Sequence, residues 1–346
     1  MPVTALSVDN ELLSATSIEA AKEARDMRHL GLPFLSSLDK YHGSGSPNKG
    51  SGHKWIGSFQ TGDHSTPTRR QTGYEQMNLS FSGVLTPMVL TPAEVSFPIG
   101  ISAVEEDLNG GDLQTIELAA RRTKAVMSAA KRQWEKHMIQ GDVAQFDDFL
   151  TLNGAASAQV GLLEEVAYGS QVVNVGGFNK GTFSALPGAN NQFFDCGNSF
   201  NSAGLTGLYR TIIKAKARAT DDLAGMTVLC SEKGMENYKR TIQANERYIV
   251  NSGDDSLDAT AMNLLINGVP AQVTTNMKST VSFYIIDLNA IYFMWSKVLR
   301  DGYFSMSDFD PVGNGYSVRV AEILVRGQLW VESFGSSGVI SNGDTF

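Results

Sequence analysis

Cysteine is scarce in this chain: Cys196 and Cys230 are the only two among 346 residues. Two thiols make neither a disulfide framework nor a zinc site, so both are expected to be free, reduced and structural, which fits a cytosolic origin. Charge is thin as well. Only 18% of residues are Asp, Glu, Lys or Arg, and the net charge is -8. An acidic balance argues against a generic nucleic-acid binder, which would be basic. It still allows a surface that must lie beside a polyanion without sticking to it. Sparse charge fits a protein that buries much of itself against partners, or simply a neutral, Gly-rich surface. No apolar run approaches the roughly 18 residues that a membrane span needs. The longest strip, Val281 to Trp295, is broken by Asp287 and Asn289. The N-terminus, Met1-Pro2-Val3-Thr4, lacks the basic and apolar regions of a signal peptide.

Signatures of chemistry are missing too. The histidines are His29, His42, His53, His64 and His137, and none has another His, Cys or carboxylate at metal-ligand spacing. Lys49-Gly50-Ser51 and Lys180-Gly181-Thr182 place Lys before Gly, the reverse of a phosphate loop, and no helix is expected after either. There is no Gly-x-Ser-x-Gly elbow. Glu105-Glu106-Asp107, Asp147-Asp148, Glu164-Glu165, Asp221-Asp222 and Asp254-Asp255 are adjacent carboxylates, whose side chains diverge on a helix or strand. They read as solvated caps and turns rather than acid/base dyads. Asp254, Asp255 and Asp258 lack the EF-hand spacing. No catalytic, cofactor-binding or metal-binding residue is expected.

What is present is one long helix. Asp112 to Ile139 reads as 28 helical residues, about 40 Å at 1.5 Å per residue. Leu113, Ile116, Ala120, Met127, Ala130, Trp134 and Met138 form its apolar stripe. Asp112 can cap its first turn after Gly110-Gly111, and Gly141 can close its last. A helix of this length usually serves as a strut.

Other elements follow along the chain. Residues 11–29 read as a weak helix. His42 to Gly52 is a Gly/Ser-rich linker, so residues 1–53 look like an arm. Lys54 to Ser82 reads as a long hairpin, starting at Trp55–Phe59 and returning through Met77, Leu79 and Phe81. Val84 to Ile101 is extended, because Pro87, Pro92 and Pro98 oppose helix and central-strand pairing. Residues 145–200 are Gly/Asn/Ala-rich, with short strands such as Gln171–Val175. Then comes an α/β succession. A helix carries Leu205, Leu208, Tyr209, Ile212 and Ile213, and Met226–Cys230 is a buried strand. Ser231 caps a helix carrying Met235, Tyr238 and Ile242. Strands are expected at 268–273, 281–286 and 291–295. Tyr316–Glu332 is strongly β, with an apolar face that flips near Ala321-Glu322, predicting a bulge or a change of sheet.

The order of these elements resembles the major capsid proteins of tailed bacteriophages, with the Hong Kong 97-type fold. Local sequence is similar as well. Thr227-Val-Leu-Cys-Ser-Glu-Lys233 precedes a helix, and Leu264-Leu-Ile-Asn-Gly-Val-Pro-Ala-Gln-Val-Thr-Thr-Asn-Met277 carries a short Gly-x-Pro strand leading to an Asn-Met turn. Val318-Arg-Val-Ala-Glu322 leads into a final strand. The resemblance covers about residues 54–340 and implies an α+β chain. It implies an N-terminal arm at 1–53 and an E-loop hairpin at 54–82. A peripheral domain with a long spine helix would comprise 83–144 and 310–346, and an axial α/β domain 145–309.

It further implies self-assembly as hexamers and pentamers into an icosahedral head enclosing double-stranded DNA, with only weak, non-specific DNA contact and no membrane. The chain would be a structural protein of the virion, not an enzyme, and would assemble in the host cytoplasm. Partners implied are other copies, a portal, a decoration protein and a separate scaffolding protein, the arm being too short to hold a large scaffolding segment. The E-loop would meet a neighbouring subunit through Lys54, Trp55, Phe59, Arg69, Arg70, Met77, Leu79 and Phe81, because its apolar residues have no obvious core in their own chain. Some relatives join subunits by a Lys–Asn isopeptide bond. Lys54 is the only lysine in the hairpin and Asn partners are plentiful, so that bond is not expected. Two alternatives stand beside this reading. One is an encapsulin-type shell around protein cargo; the other is a soluble α/β enzyme built on 205–300.

Overall fold

Residue 226 opens five apolar or β-branched positions in a row, and residue 283 opens four apolar ones. Those two runs form the centre of one sheet. The computed structural model describes residues 31–42, 49–50, 52–62, 83–109, 118–141, 143–146, 148–152, 174–183, 185–197, 199–219, 225–245, 264–277, 280–296, 304–311 and 317–343. Strands are numbered β1 to β16 and helices α1 to α5 along the chain.

The first sheet is organised by β15 (Val318–Val331). Along one side of β15 runs β4 (Ala93–Ser102), antiparallel, from Val318↔Ser102 to Gly327↔Ala93. Along the other lie β12 (Ile291–Ser296), β13 (Ser305–Met306) and β14 (Asp310–Pro311), end to end. β1 (Lys49–Gly50) adds a parallel pair to the end of β12. β4 has β15 as its single strand partner among the described residues, which is why Pro98 is tolerated in it.

The ladder between β15 and β4 keeps one register throughout, so the expected bulge near Ala321 is absent. Ala321, Ile323 and Val325 are buried, while Val318 and Val320 lie half-exposed on the other face. The apolar parity changes because β-branched residues suit a strand even on its outer face. The chain itself does not slip.

The second sheet has the order β7-β16-β11-β8-β10-β9. Its members are β7 (Gln192–Asp195), β16 (Gly338–Ser341), β11 (Val281–Asp287), β8 (Met226–Cys230), β10 (Val269–Val273) and β9 (Leu264–Ile266). Every residue of β8 and β11 is buried, as expected for strands covered on both faces. β8, α5 (Glu232–Asn245) and β10, parallel to β8, make a β-α-β crossover. Ser231 Oγ accepts from Gly234 N at 2.9 Å and so caps α5, as the sequence predicts. α4 (Ser202–Lys216) is capped by Asn201, whose side chain accepts from Ala203 N and Gly204 N. Leu208 and Ile212 of α4 and Met235, Tyr238 and Ile242 of α5 enclose a core with Val228, Cys230, Phe283 and Ile285.

The chain passes between the sheets three times: between β4 and β7, at Leu288–Ala290, and between Val331 and Gly338. Strand membership does not follow the sequence division at 310: β12, before it, belongs to the first sheet, and β16, after it, to the second.

The long helix is described from Leu118 to Gln140 as α3, about 35 Å long. Its expected start at 112–117 lies outside the described residues. Ala130, Trp134 and Met138 are buried as the stripe predicts, whereas Ala120 is exposed and Met127 only half-buried. Gly141 takes φ +70° and donates to His137 O at 2.6 Å, closing the helix in the left-handed conformation that glycine adopts without strain.

Two helices lie where the sequence predicts none, one before the hairpin and one at residues 103–109. α1 (Pro33–His42) lies inside the stretch read as an arm. Phe34, Leu35 and Leu38 are buried, and the Phe34 ring stacks on Trp134 of α3 at 6.1 Å. Burying such side chains contributes about 1.5–3 kcal/mol each. α1 also meets the second sheet, where Ser37 Oγ donates to Gln272 Oε1 at 3.1 Å. The helix expected at 11–29 lies outside the described residues.

Candidate assembly surface

The two-stranded hairpin root pairs β2 (Trp55–Gln60) with β3 (Leu85–Leu90), from Trp55↔Leu90 to Gln60↔Leu85. Strand alternation gives it two unlike faces. Trp55, Gly57 and Phe59 turn inward with Met88 and Leu90, while Ile56, Ser58, Gln60, Leu85 and Pro87 are exposed. Ile56 and Leu85 keep 69% and 63% of their surface in solvent, which is unusual for large apolar side chains.

The inward face is locked to a segment far downstream. β5 (Asn174–Val175) and β6 (Phe178–Asn179) form a small ribbon beneath it. Val89 N donates to Gly176 O at 2.7 Å. Gly176 has φ +56°, and a Cβ there would lie 2.7 Å from Val89 O, so the residue must be small. The Phe59 ring sits 4.6 Å from Phe178, which is in turn stacked between Phe183 and Phe334. Lys180 is fully buried beside this stack, with Nζ 4.2 Å from the Phe334 ring centre.

Trp55 is buried in the chain's main core, and Phe59 packs against that core. This corrects the expectation that both lack a core in their own chain. The partner ribbon is distant in sequence and gave no local signal. Lys54, just before β2, is exposed. Arg69, Arg70, Met77, Leu79 and Phe81, the other residues expected at the contact, lie outside the described residues, as does the return strand at 77–81.

A polar brace holds the corner between the first sheet and the spine helix. Ser102 ends β4, and α2 (Ala103–Asn109) follows at once. Arg122 of α3 grips Glu105 of α2 with both guanidinium nitrogens, at 2.7 and 3.0 Å, and also donates to Gly100 O at 3.1 Å. Glu105 further accepts from Ser102 N at 3.0 Å. The Arg122 hydrogen bonds hold its carboxyl below the ordinary glutamate range, despite partial burial. Sequence reasoning had placed Glu105 in a merely solvated acidic run. The Gly110-Gly111 hinge lies outside the described residues.

Among the described residues no three His, Cys, Asp or Glu side chains are grouped to hold a metal. Burial pushes the thiols of Cys196 and Cys230 up to about 11 and about 12, away from thiolate chemistry. No described helix is long and apolar enough to cross a membrane.

No family model and no curated protein matches the sequence. Solved structures do match over nearly the whole chain. The cyanophage A-1(L) capsid aligns with a TM-score of 0.65 at 13% identity, covering 95% of this chain and 97% of that one. The capsid of the native GTA particle gives 0.61 at 10% identity, covering 94% and 95%. The holo-SrpI encapsulin complex from Synechococcus elongatus gives 0.52 at 11% identity, covering 93% of each. The chain has the mixed helix-and-sheet fold of these shell proteins.

Proposed function

We propose that the chain is the major capsid protein of a tailed bacteriophage, a structural protein that self-assembles as hexamers and pentamers into an icosahedral head around double-stranded DNA. The observation that carries this reading is end-to-end structural likeness to capsid subunits: more than nine-tenths of this chain aligns with more than nine-tenths of each.

In this reading the hairpin root aims an E-loop at 54–82 over a neighbouring subunit. Its inward face is committed to the chain's own core. Its outward face, with Ile56, Leu85 and Pro87 beside Lys54, is left for the neighbour. The second sheet with α4 and α5 is the axial domain, and the first sheet with α3 is the peripheral domain. The protein belongs to the virion and assembles in the host cytoplasm with a separate scaffolding protein, a portal and, on some heads, a decoration protein. An acidic chain suits only weak contact with the packaged DNA.

A second reading has its own observation. An encapsulin matches the chain with nearly the same coverage, so a shell around protein cargo is the alternative. Negative-stain microscopy of the purified chain, with size-exclusion chromatography, tests both. Closed shells, pentamers or hexamers are expected. DNA inside shells from infected cells marks a head, and a single loaded enzyme marks an encapsulin. A monomer that stays monomeric with its co-expressed neighbours would overturn both.

A further inference from the structure

α4 turns one face to the core and the other to water. Leu208, Thr211, Ile212 and Ala215 are buried, while Thr206, Arg210, Ile213, Lys214 and Ala217 lie exposed. Ile213 keeps 56% of its surface in solvent. Arg210, Lys214 and Arg218 follow one another at four-residue spacing, in a row about 12 Å long. All three are exposed, and among the described residues no carboxylate pairs with any of them. The segment between Asp195 and Asp221 holds no acidic residue, in a chain whose net charge is -8.

The needs of the helix itself do not account for this face. Like charges one turn apart repel, so the row costs the isolated helix stability. Lys214 and Lys216 stand in the last turn and answer the negative end of the helix dipole. Lys216 is also engaged within the chain, its Nζ donating to Asn267 O at 2.6 Å. The dipole fades within one turn, which leaves Arg210 without that role, and Ile213 carries no charge. An apolar side chain beside exposed cations has the layout of a protein contact, with an apolar centre and a charged rim.

We infer that the outward face of α4 docks on the acidic surface of a second copy of this chain. The inference rests on the shell reading above and names a contact other than the hairpin. Copies that each carry a net charge of -8 repel as they approach. A basic face on one copy that meets carboxylates on the next replaces repulsion by attraction at one place, and so selects the orientation in which copies join. The two sides of the contact are unlike, so it can repeat around a closed ring. Ile213 packs at its centre. A phosphate backbone would use the cations and leave Ile213 without an apolar partner, which favours protein over nucleic acid.

The test uses the whole chain, assembled from equal amounts of unlabelled and heavy-nitrogen protein and treated with a carbodiimide, which joins amines to carboxylates in contact. Mass spectrometry is expected to find Lys214 joined to an Asp or Glu of the other isotope. Arg210→Glu combined with Lys214→Glu should keep the unfolding midpoint and lower the yield of rings and shells about tenfold or more. Arg210→Lys combined with Lys214→Arg should assemble as the unaltered chain does. Shells without the cross-link, or normal shells from the charge-reversed variant, overturn the inference and leave the shell reading standing. A chain that never assembles overturns both. Normal shells from that variant together with lost binding of a short DNA duplex would assign the row to nucleic acid instead. Should the charge-reversed variant fail to fold, the cross-link in the unaltered chain decides.

Discussion

Phe59 and Phe178 meet at a ring separation of 4.6 Å, tilted at 49°, and this contact joins the hairpin root to the body of the subunit. Its neighbour in the strand, Ile56, points the opposite way into solvent. One strand thus serves stability with one face, and in the proposed shell the other is left for assembly.

That division separates two kinds of mutation. Phe59→Ala removes an aromatic contact from the chain's own core and should cost about 2–4 kcal/mol in urea unfolding of the isolated subunit. Ile56→Asp combined with Leu85→Asp should leave the unfolding midpoint nearly unchanged yet prevent shells, read by electron microscopy. If the double variant forms normal shells, the outward face is not an assembly contact.

Replacing residues 63–82 with a short Gly-Ser turn should leave a folded subunit, because every pair of the β2–β3 ladder is kept. Stable shells should be lost. Normal particles from this variant would refute the hairpin's role between subunits.

Gly176→Ala forces a side chain onto Val89 O in a left-handed backbone conformation. A loss of about 1–3 kcal/mol is expected, with faster hydrogen exchange at Val89 than in α5. A neutral result would mean that the ribbon does not clamp the hairpin.

Arg122→Ala breaks the brace on Glu105. Glu105 has a lowered carboxyl in the folded state, so the bond stabilises above the ordinary glutamate range and that stability is lost as pH falls below it. The variant should be weaker by about 1–2 kcal/mol near pH 7, with the gap narrowing as pH falls below the ordinary glutamate range. A gap that persists in acid would place the effect in packing rather than charge.

Much of the second sheet was legible in the sequence, and the reasons are local. Met226–Cys230 is an unbroken apolar run, and Ser231 is a cap that stands next to it. The long helix announced itself by period and by Gly141. α1 was legible in principle: Pro33 suits a first helical position, and Phe34, Leu38 and Tyr41 share one face. The adjoining Gly/Ser run drew it into the arm instead.

The hairpin's inward face could not be read locally, because the Phe178 ribbon lies far downstream. Glu105 was hidden for the same reason, its partner Arg122 being on another element. Val318 and Val320 misled by using β-branched side chains on an outer face.

The placement of β16 carries a consequence for biosynthesis. This late strand inserts between β7 and β11, so among the described residues β7 has no hydrogen-bonding neighbour in the sheet until residues 338–341 have been made. A ribosome-bound chain holds the sheet open at that slot. A chain cut short before residue 338 leaves β7 without the strand that ties it to β11.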